Sequence, residues 1–154
     1  MAVVFEGQTL TYAELNERAN RLAHYLVGLG VGRGSLVAVS LERSLELVVA
    51  IYGTVKAGAA YVPVDPGYPA ERVAFLLEDA QAAVILTQSA LAERLAGPGR
   101  RLVCVDALGE LAEYDGGAAP VTGVGAGDLA YVIYTSGSTG QPPTTSQRPS
   151  RTRA

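Results

Sequence analysis

Thr135-Ser136-Gly137-Ser138-Thr139-Gly140 packs four hydroxyls and six backbone N–H groups into six residues. Its two glycines can take positive φ, which lets successive N–H groups face one concavity suited to an anion. A polyphosphate calls for such a site: many donors, no carboxylate close by, and a backbone that can be approached. The same Ser/Gly run also reads as an ordinary turn, so residue types alone leave both readings open. The run is not the phosphate loop of nucleotide hydrolases, because Gly-x-x-x-x-Gly-Lys is absent. A second glycine cluster, Gly28-Leu29-Gly30-Val31-Gly32-Arg33-Gly34, never gives Gly-x-Gly-x-x-Gly. It also follows a helix signal where a dinucleotide fingerprint follows a strand, so it reads as a helix stop and a loop.

Other chemistry-bearing residues carry less. His24 lies inside a helix pattern with no second histidine to join it, which suits a surface or boundary position. Cys104 sits in an apolar strand and reads as a small buried hydrophobe. As the only cysteine it excludes an internal disulfide and a cysteine-rich metal cluster. Asp65, before Pro66-Gly67, reads as a turn former whose carboxylate accepts backbone N–H groups. Glu78 and Asp79 are adjacent, so they point to different sides of a helix and make no acid/base pair.

The elements that would position the hydroxyl-rich run are well signalled. Thr11-Tyr12-Ala13-Glu14 is a capping box, and Leu15, Ala19, Leu22, Leu26 and Leu29 follow on one helical face. Leu36 to Leu41 reads as a buried strand. Ser44 caps a helix running to Lys56 and Ala57, apolar nearly all round and therefore expected to be buried on several sides. Ala60 to Val64 is a strand, 65–69 a turn, and Ala70 to Ala80 a helix opened by a proline. Ala83 to Thr87 is a strand, Ser89 to Leu95 a short helix, and Leu102 to Val105 a further strand. A Gly/Ala-rich linker, Gly116 to Gly127, leads into Leu129 to Tyr134, apolar on both faces and expected to be covered on both. Strands alternating with helices imply an α/β fold on a mainly parallel sheet with flanking helices.

Of the 154 residues, 49% are hydrophobic and 18% charged, enough to bury one sizeable core. The 15 acidic residues outnumber the 12 basic ones, which gives no footprint for nucleic acid. Three arginines (Arg148, Arg151, Arg153) crowd the last stretch, but without aromatics they make a weak case for RNA or anionic lipid. No basic region precedes an apolar core at the start, and no run approaches the ~18 apolar residues of a membrane span. The expectation is a cytoplasmic protein with no membrane partner. Residues 141–154 contain no large apolar side chain and are expected to be disordered.

Three blocks together resemble the adenylation (AMP-binding) domains of nonribosomal peptide synthetases, within the adenylate-forming ligases. Leu10-Thr11-Tyr12-Ala13-Glu14-Leu15-Asn16 with Ala19-Asn20-Arg21-Leu22-Ala23 is similar to the family's opening. Lys56-Ala57-Gly58-Ala59-Ala60-Tyr61-Val62-Pro63-Val64-Asp65-Pro66, with Tyr68-Pro69 and Arg72, resembles its second block. Tyr131-Val132-Ile133-Tyr134 running into Thr135–Gly140, Gln141 and Pro142 resembles its phosphate loop. The likeness covers roughly residues 1–142 in family order.

The resemblance implies that ATP and an amino acid or other carboxylate react to an acyl-adenylate and pyrophosphate. The acyl group then passes to a phosphopantetheine carrier domain. It implies that Thr135, Ser136, Gly137, Ser138, Thr139 and Gly140 hold the β- and γ-phosphates, with Mg²⁺ assisting. The tyrosine-containing second block favours amino-acid activation over acyl-CoA synthesis. One departure stands out: the family continues with lysine and glycine where Pro143-Thr144 stand here. The similarity then breaks at a basic Pro/Thr/Ser/Arg tail of the kind a reading-frame shift would produce. The expected organisation is therefore residues 1–140 as the incomplete N-terminal part of an adenylation domain, with 141–154 as a non-homologous tail. No catalytic residue is expected within it, since the family's amino-acid pocket and catalytic lysine lie further on, and the chain is expected to be inactive alone. The alternatives are a non-catalytic nucleotide or pyrophosphate-binding module, or a docking fragment partnered by the remainder of a split synthetase.

Overall fold

The structure, a computed structural model, describes residues 1–135 and the backbone of residues 150–153. The chain opens with a hairpin of β1 (Val3–Phe5) and β2 (Gln8–Leu10), paired antiparallel. Its two-residue turn, Glu6-Gly7, has positive φ at both positions, 47° and 79°. That is the turn whose twist matches paired strands. Helix α1 (Tyr12–Gly28) follows with both halves of the Thr11/Glu14 capping box formed. The Glu14 carboxylate is held below its ordinary pKa chiefly by the Thr11 backbone N–H, then by the Thr11 hydroxyl.

Strand β3 (Leu36–Ser40), helix α2 (Leu45–Lys56), strand β4 (Ala60–Pro63), helix α3 (Ala70–Ala80) and strand β5 (Val84–Thr87) come next. A 3₁₀ turn at Ser89–Leu91 runs into the short α4 (Ala92–Leu95), and β6 (Leu102–Cys104) follows. A second 3₁₀ turn, Gly109–Glu113, precedes the long connection to β7 (Leu129–Ile133). The sheet order is β6-β5-β3-β4-β7, all parallel, with β8 (Ser150–Arg153) beside β7 at the far edge.

The alternation of side chains along the strands feeds two cores. Val37, Val39, Val84, Leu86 and Val103 face α1 and α2. Ala38, Val62, Ile85 and Val132 face α3 and α4, meeting Val73, Leu76, Leu77 and Leu95. Helices α1 and α2 approach so closely that a Cβ on Gly53 would lie 2.8 Å from Leu22 Cδ2. Helix α2 ends at Gly58 (φ 83°), where Thr122 and Val124 of the long connection occupy the space of a side chain.

Helix α2 is buried on several sides, against α1, the sheet and the β1–β2 hairpin, while Tyr52 and Val55 on its remaining flank are 52% and 43% exposed. One expectation changes. The segment 141–154, expected to be disordered, supplies β8 (Ser150–Arg153), which runs antiparallel to β7 with Ile133 opposite Ser150. Backbone pairing needs no apolar side chain, so the open N–H and C=O groups of an edge strand can hold a segment unable to form a core. The rest of that segment, and the expected boundary at residue 140, lie outside the described residues.

Candidate site at the carboxyl edge of the sheet

Helix α2 leaves β3 toward one face of the sheet, and α3 leaves β4 toward the other. Adjacent parallel strands whose connections depart in opposite directions open a crevice at their carboxyl ends, the usual ligand position in open α/β sheets. A cleft of about 360 Å³ lies there, lined by Val39 of β3, by Leu41 and Arg43 after it, by Asp65 and Tyr68 after β4, and by Tyr134.

The loop after β4 is tightly organised. Asp65 Oδ1 accepts the Gly67 N–H at 2.7 Å, and the Tyr68 N–H donates to Asp65 O at 3.1 Å. That bears out Asp65 as a turn former. The Arg72 guanidinium lies 5.5 Å from the Tyr68 ring centre, and Arg94 donates to Tyr68 O. At the seam of β4 and β7, Tyr61 stands level with Tyr131, their ring centres 5.8 Å apart. Burial, and then Tyr131, push the Tyr61 phenol above its ordinary pKa.

Strand β7 delivers the start of the hydroxyl-rich run to this same edge. Tyr134 packs against the α3-side core, and its hydroxyl donates to Asp79 Oδ2 at 2.7 Å. Thr135 follows and is exposed. Ser136, Gly137, Ser138, Thr139 and Gly140 lie outside the described residues. The remaining candidates are elsewhere. His24 is half-buried on α1, its Nε2 3.0 Å from Ala118 O, and Cys104 is a half-buried thiol on the strand farthest from β7. Asp79 makes no pair with its neighbour Glu78; its partner stands 55 residues away, a separation that leaves no local signal in the sequence.

Among the described residues no group of three or more His, Cys, Asp or Glu could hold a metal ion, and no helix is long and apolar enough to cross a membrane. Residues 1–143 match the family described as AMP-binding enzyme. The chain belongs to that family. It is 54% identical over 143 residues to tyrocidine synthase 3 of Brevibacillus parabrevis, covering 92% of this chain and 2% of that protein. Among solved structures it resembles the nonribosomal peptide synthetase FmoA3 in an α-methyl-L-serine-AMP-bound form, with TM-score 0.80 and 41% identity. That likeness covers 87% of this chain and 15% of FmoA3. The AMPPNP-bound form of FmoA3 gives TM-score 0.79 and 42% identity over 88% of this chain and 14% of that one. The chain therefore corresponds to the N-terminal part of a synthetase adenylation domain, in a family of ATP-dependent adenylate-forming ligases. It spans only a small fraction of these relatives' length.

Proposed function

We propose that this chain supplies the polyphosphate-gripping part of an amino-acid-activating adenylation domain. The observation that carries the reading is Tyr134, the residue before Thr135, lining the carboxyl-edge crevice beside the loop after β4. FmoA3 is recorded with AMPPNP and with an aminoacyl-AMP, which supports ATP and an amino acid as the substrates here. Residues 135–140 would direct backbone N–H and hydroxyl donors at the β- and γ-phosphates. That orients the α-phosphate for attack by a carboxylate and offsets charge on the departing pyrophosphate. Mg²⁺ would accompany ATP as the counter-ion of its phosphates. Choosing the amino acid and transferring the acyl group to a carrier thiol belong to the longer protein of which this would be a part.

Thermal shift of the purified chain with Mg·ATP, Mg·pyrophosphate and AMP tests the reading. Stabilisation by both polyphosphates and less by AMP is expected, while amino-acid-dependent pyrophosphate exchange by the chain alone is not. Equal stabilisation by AMP, or none by any of the three, would refute the polyphosphate assignment.

A second reading, docking onto a separately supplied remainder of the domain, draws support from Tyr52 and Val55 of α2, 52% and 43% exposed. Co-expression with residues covering the rest of a related adenylation domain should then restore pyrophosphate exchange. Failure of the two pieces to co-purify would remove this reading.

A further inference from the structure

The end of β3 carries a polar group that the core around it does not explain. Ser40 stands two residues after Ala38, so its side chain points to the same α3-side face of the sheet. It is fully buried, and its hydroxyl has no hydrogen-bond partner among the described residues. A hydroxyl so placed carries a desolvation cost unless something meets it.

A small void opens beside it. The buried Val73 and Leu95 wall it on the core side, and Pro66 and Ala70 bound it where the loop after β4 enters α3. Arg94, exposed on α4, completes the lining, and its guanidinium also donates to Tyr68 O. Helix α3 is 11 residues long, and no side chain caps its amino end. Free N–H groups and the positive end of the helix dipole therefore stand at Ala70. Among the described residues no carboxylate lines the void; Glu71, in the first turn of α3, is exposed and outside it.

The room is about 20 Å³, enough for one water-sized particle and too little for a phosphate or carboxylate group. A water would bring two protons in need of acceptors, and the lining side chains offer only the Ser40 oxygen. A monatomic anion needs donors alone, which is what this lining supplies.

We infer that Ser40, Arg94 and the amino end of α3 form a binding site for a single halide ion, of which chloride is the solvent source. The ion ties the end of β3 to the start of α3 and to the loop after β4. The site stands apart from the polyphosphate reading, since a phosphate group does not fit it.

Melting of the purified chain tests the inference, with chloride or bromide replacing gluconate at constant ionic strength; gluconate is far too large for the void. Each halide is expected to raise the melting temperature by about 4 °C at roughly ten times its Kd. Ser40→Ala and Arg94→Gln should each weaken the halide about tenfold, the loss expected for a hydrogen bond to a charged group. In gluconate Ser40→Ala should melt no lower than the parent, because it deletes a donor that the empty void leaves unmet. Bromide-soaked crystals should show an anomalous peak within hydrogen-bonding distance of Ser40 Oγ. A parent that melts alike in all three salts overturns the inference, as does a halide response that survives in both variants. So does Ser40→Ala melting higher than the parent by the same amount in every salt, the mark of an unmet hydroxyl and nothing more. A crystal in which the void holds only water, with bromide elsewhere as an adventitious ion only, overturns it as well.

Discussion

Strands β3 and β7 have similar sequences, Leu-Val-Ala-Val-Ser and Leu-Ala-Tyr-Val-Ile, and very different surroundings. β3 lies between two parallel partners with helices over both faces, and four of its five residues are buried. β7 has one parallel partner and one antiparallel one. Only Val132, on the α3 side, is fully buried, and Ile133 on the other face is 44% exposed. An apolar two-faced run states a need for cover; which neighbours meet it is decided elsewhere in the chain. The well-covered strand is scaffold, while the strand with the looser surroundings carries the candidate site at its end. Binding groups are commonly mounted this way, on less stable segments held by a rigid frame.

The sharpest way to break that contrast is to cut into each region equally. Leu22, 1% exposed, belongs to the same core as the inner residues of β3 and packs over Gly53. Leu22→Ala should cost about 2–5 kcal/mol in denaturant unfolding, from lost transfer energy and the cavity left behind. Ile133→Ser, at a residue 44% exposed near the end of β7, should change stability by less than about 0.5 kcal/mol. Comparable losses would mean that β7 is as well covered as β3.

A smaller effect of opposite sign is expected where the scaffold meets the crevice. Ser40 and Thr87, level with each other on β3 and β5, are fully buried, and neither hydroxyl has a hydrogen-bond partner among the described residues. A buried hydroxyl without a partner carries a desolvation cost that an apolar isostere avoids. Thr87→Val should therefore raise stability by about 1 kcal/mol. A loss of that size would instead mean that an ordered water satisfies the Thr87 hydroxyl in the folded protein.

Much of this frame is legible in the sequence, because its signals are local. The α1 capping box, the Ser44 cap and the proline opening α3 each depend on residues within one turn, and each forms as read. The parallel sheet follows from the alternation of apolar runs with helical patterns. What escaped notice has little local period or none. The β1–β2 hairpin has strands of three residues, though Glu6-Gly7 between two apolar stretches was a usable turn signal. The Gly109–Glu113 turn is too short for a pattern. The exposed flank of α2 depends on what packs beside it, as does the cover of β7. For the site, residue types announced the hydroxyl-rich run, but only the fold brings Tyr134 to Asp79 and sets both beside the loop after β4.

The least of the expected effects compares the two regions through their tyrosines. Tyr25 on α1 packs edge-on against Tyr114 at 5.6 Å, and its phenol is pushed up first by burial and then by Glu110. Tyr61 at the β4–β7 seam is pushed up first by burial and then by Tyr131. A raised phenol pKa means that unfolded chains ionise first. Stability is then fully present below the ordinary value of 10.0 and falls as pH climbs from there through the folded value. Tyr25→Phe and Tyr61→Phe should each flatten the stability loss that sets in above the ordinary value of 10.0. Tyr131→Phe separates the regions, because it removes one of the two influences on Tyr61 and neither of those on Tyr25. In Tyr131→Phe, titration of Tyr61 followed by tyrosinate absorbance should move back toward the ordinary value, with Tyr25 unmoved. If Tyr61 stays put, burial alone sets its behaviour, and the seam between β4 and β7 owes nothing to the pairing of the two rings.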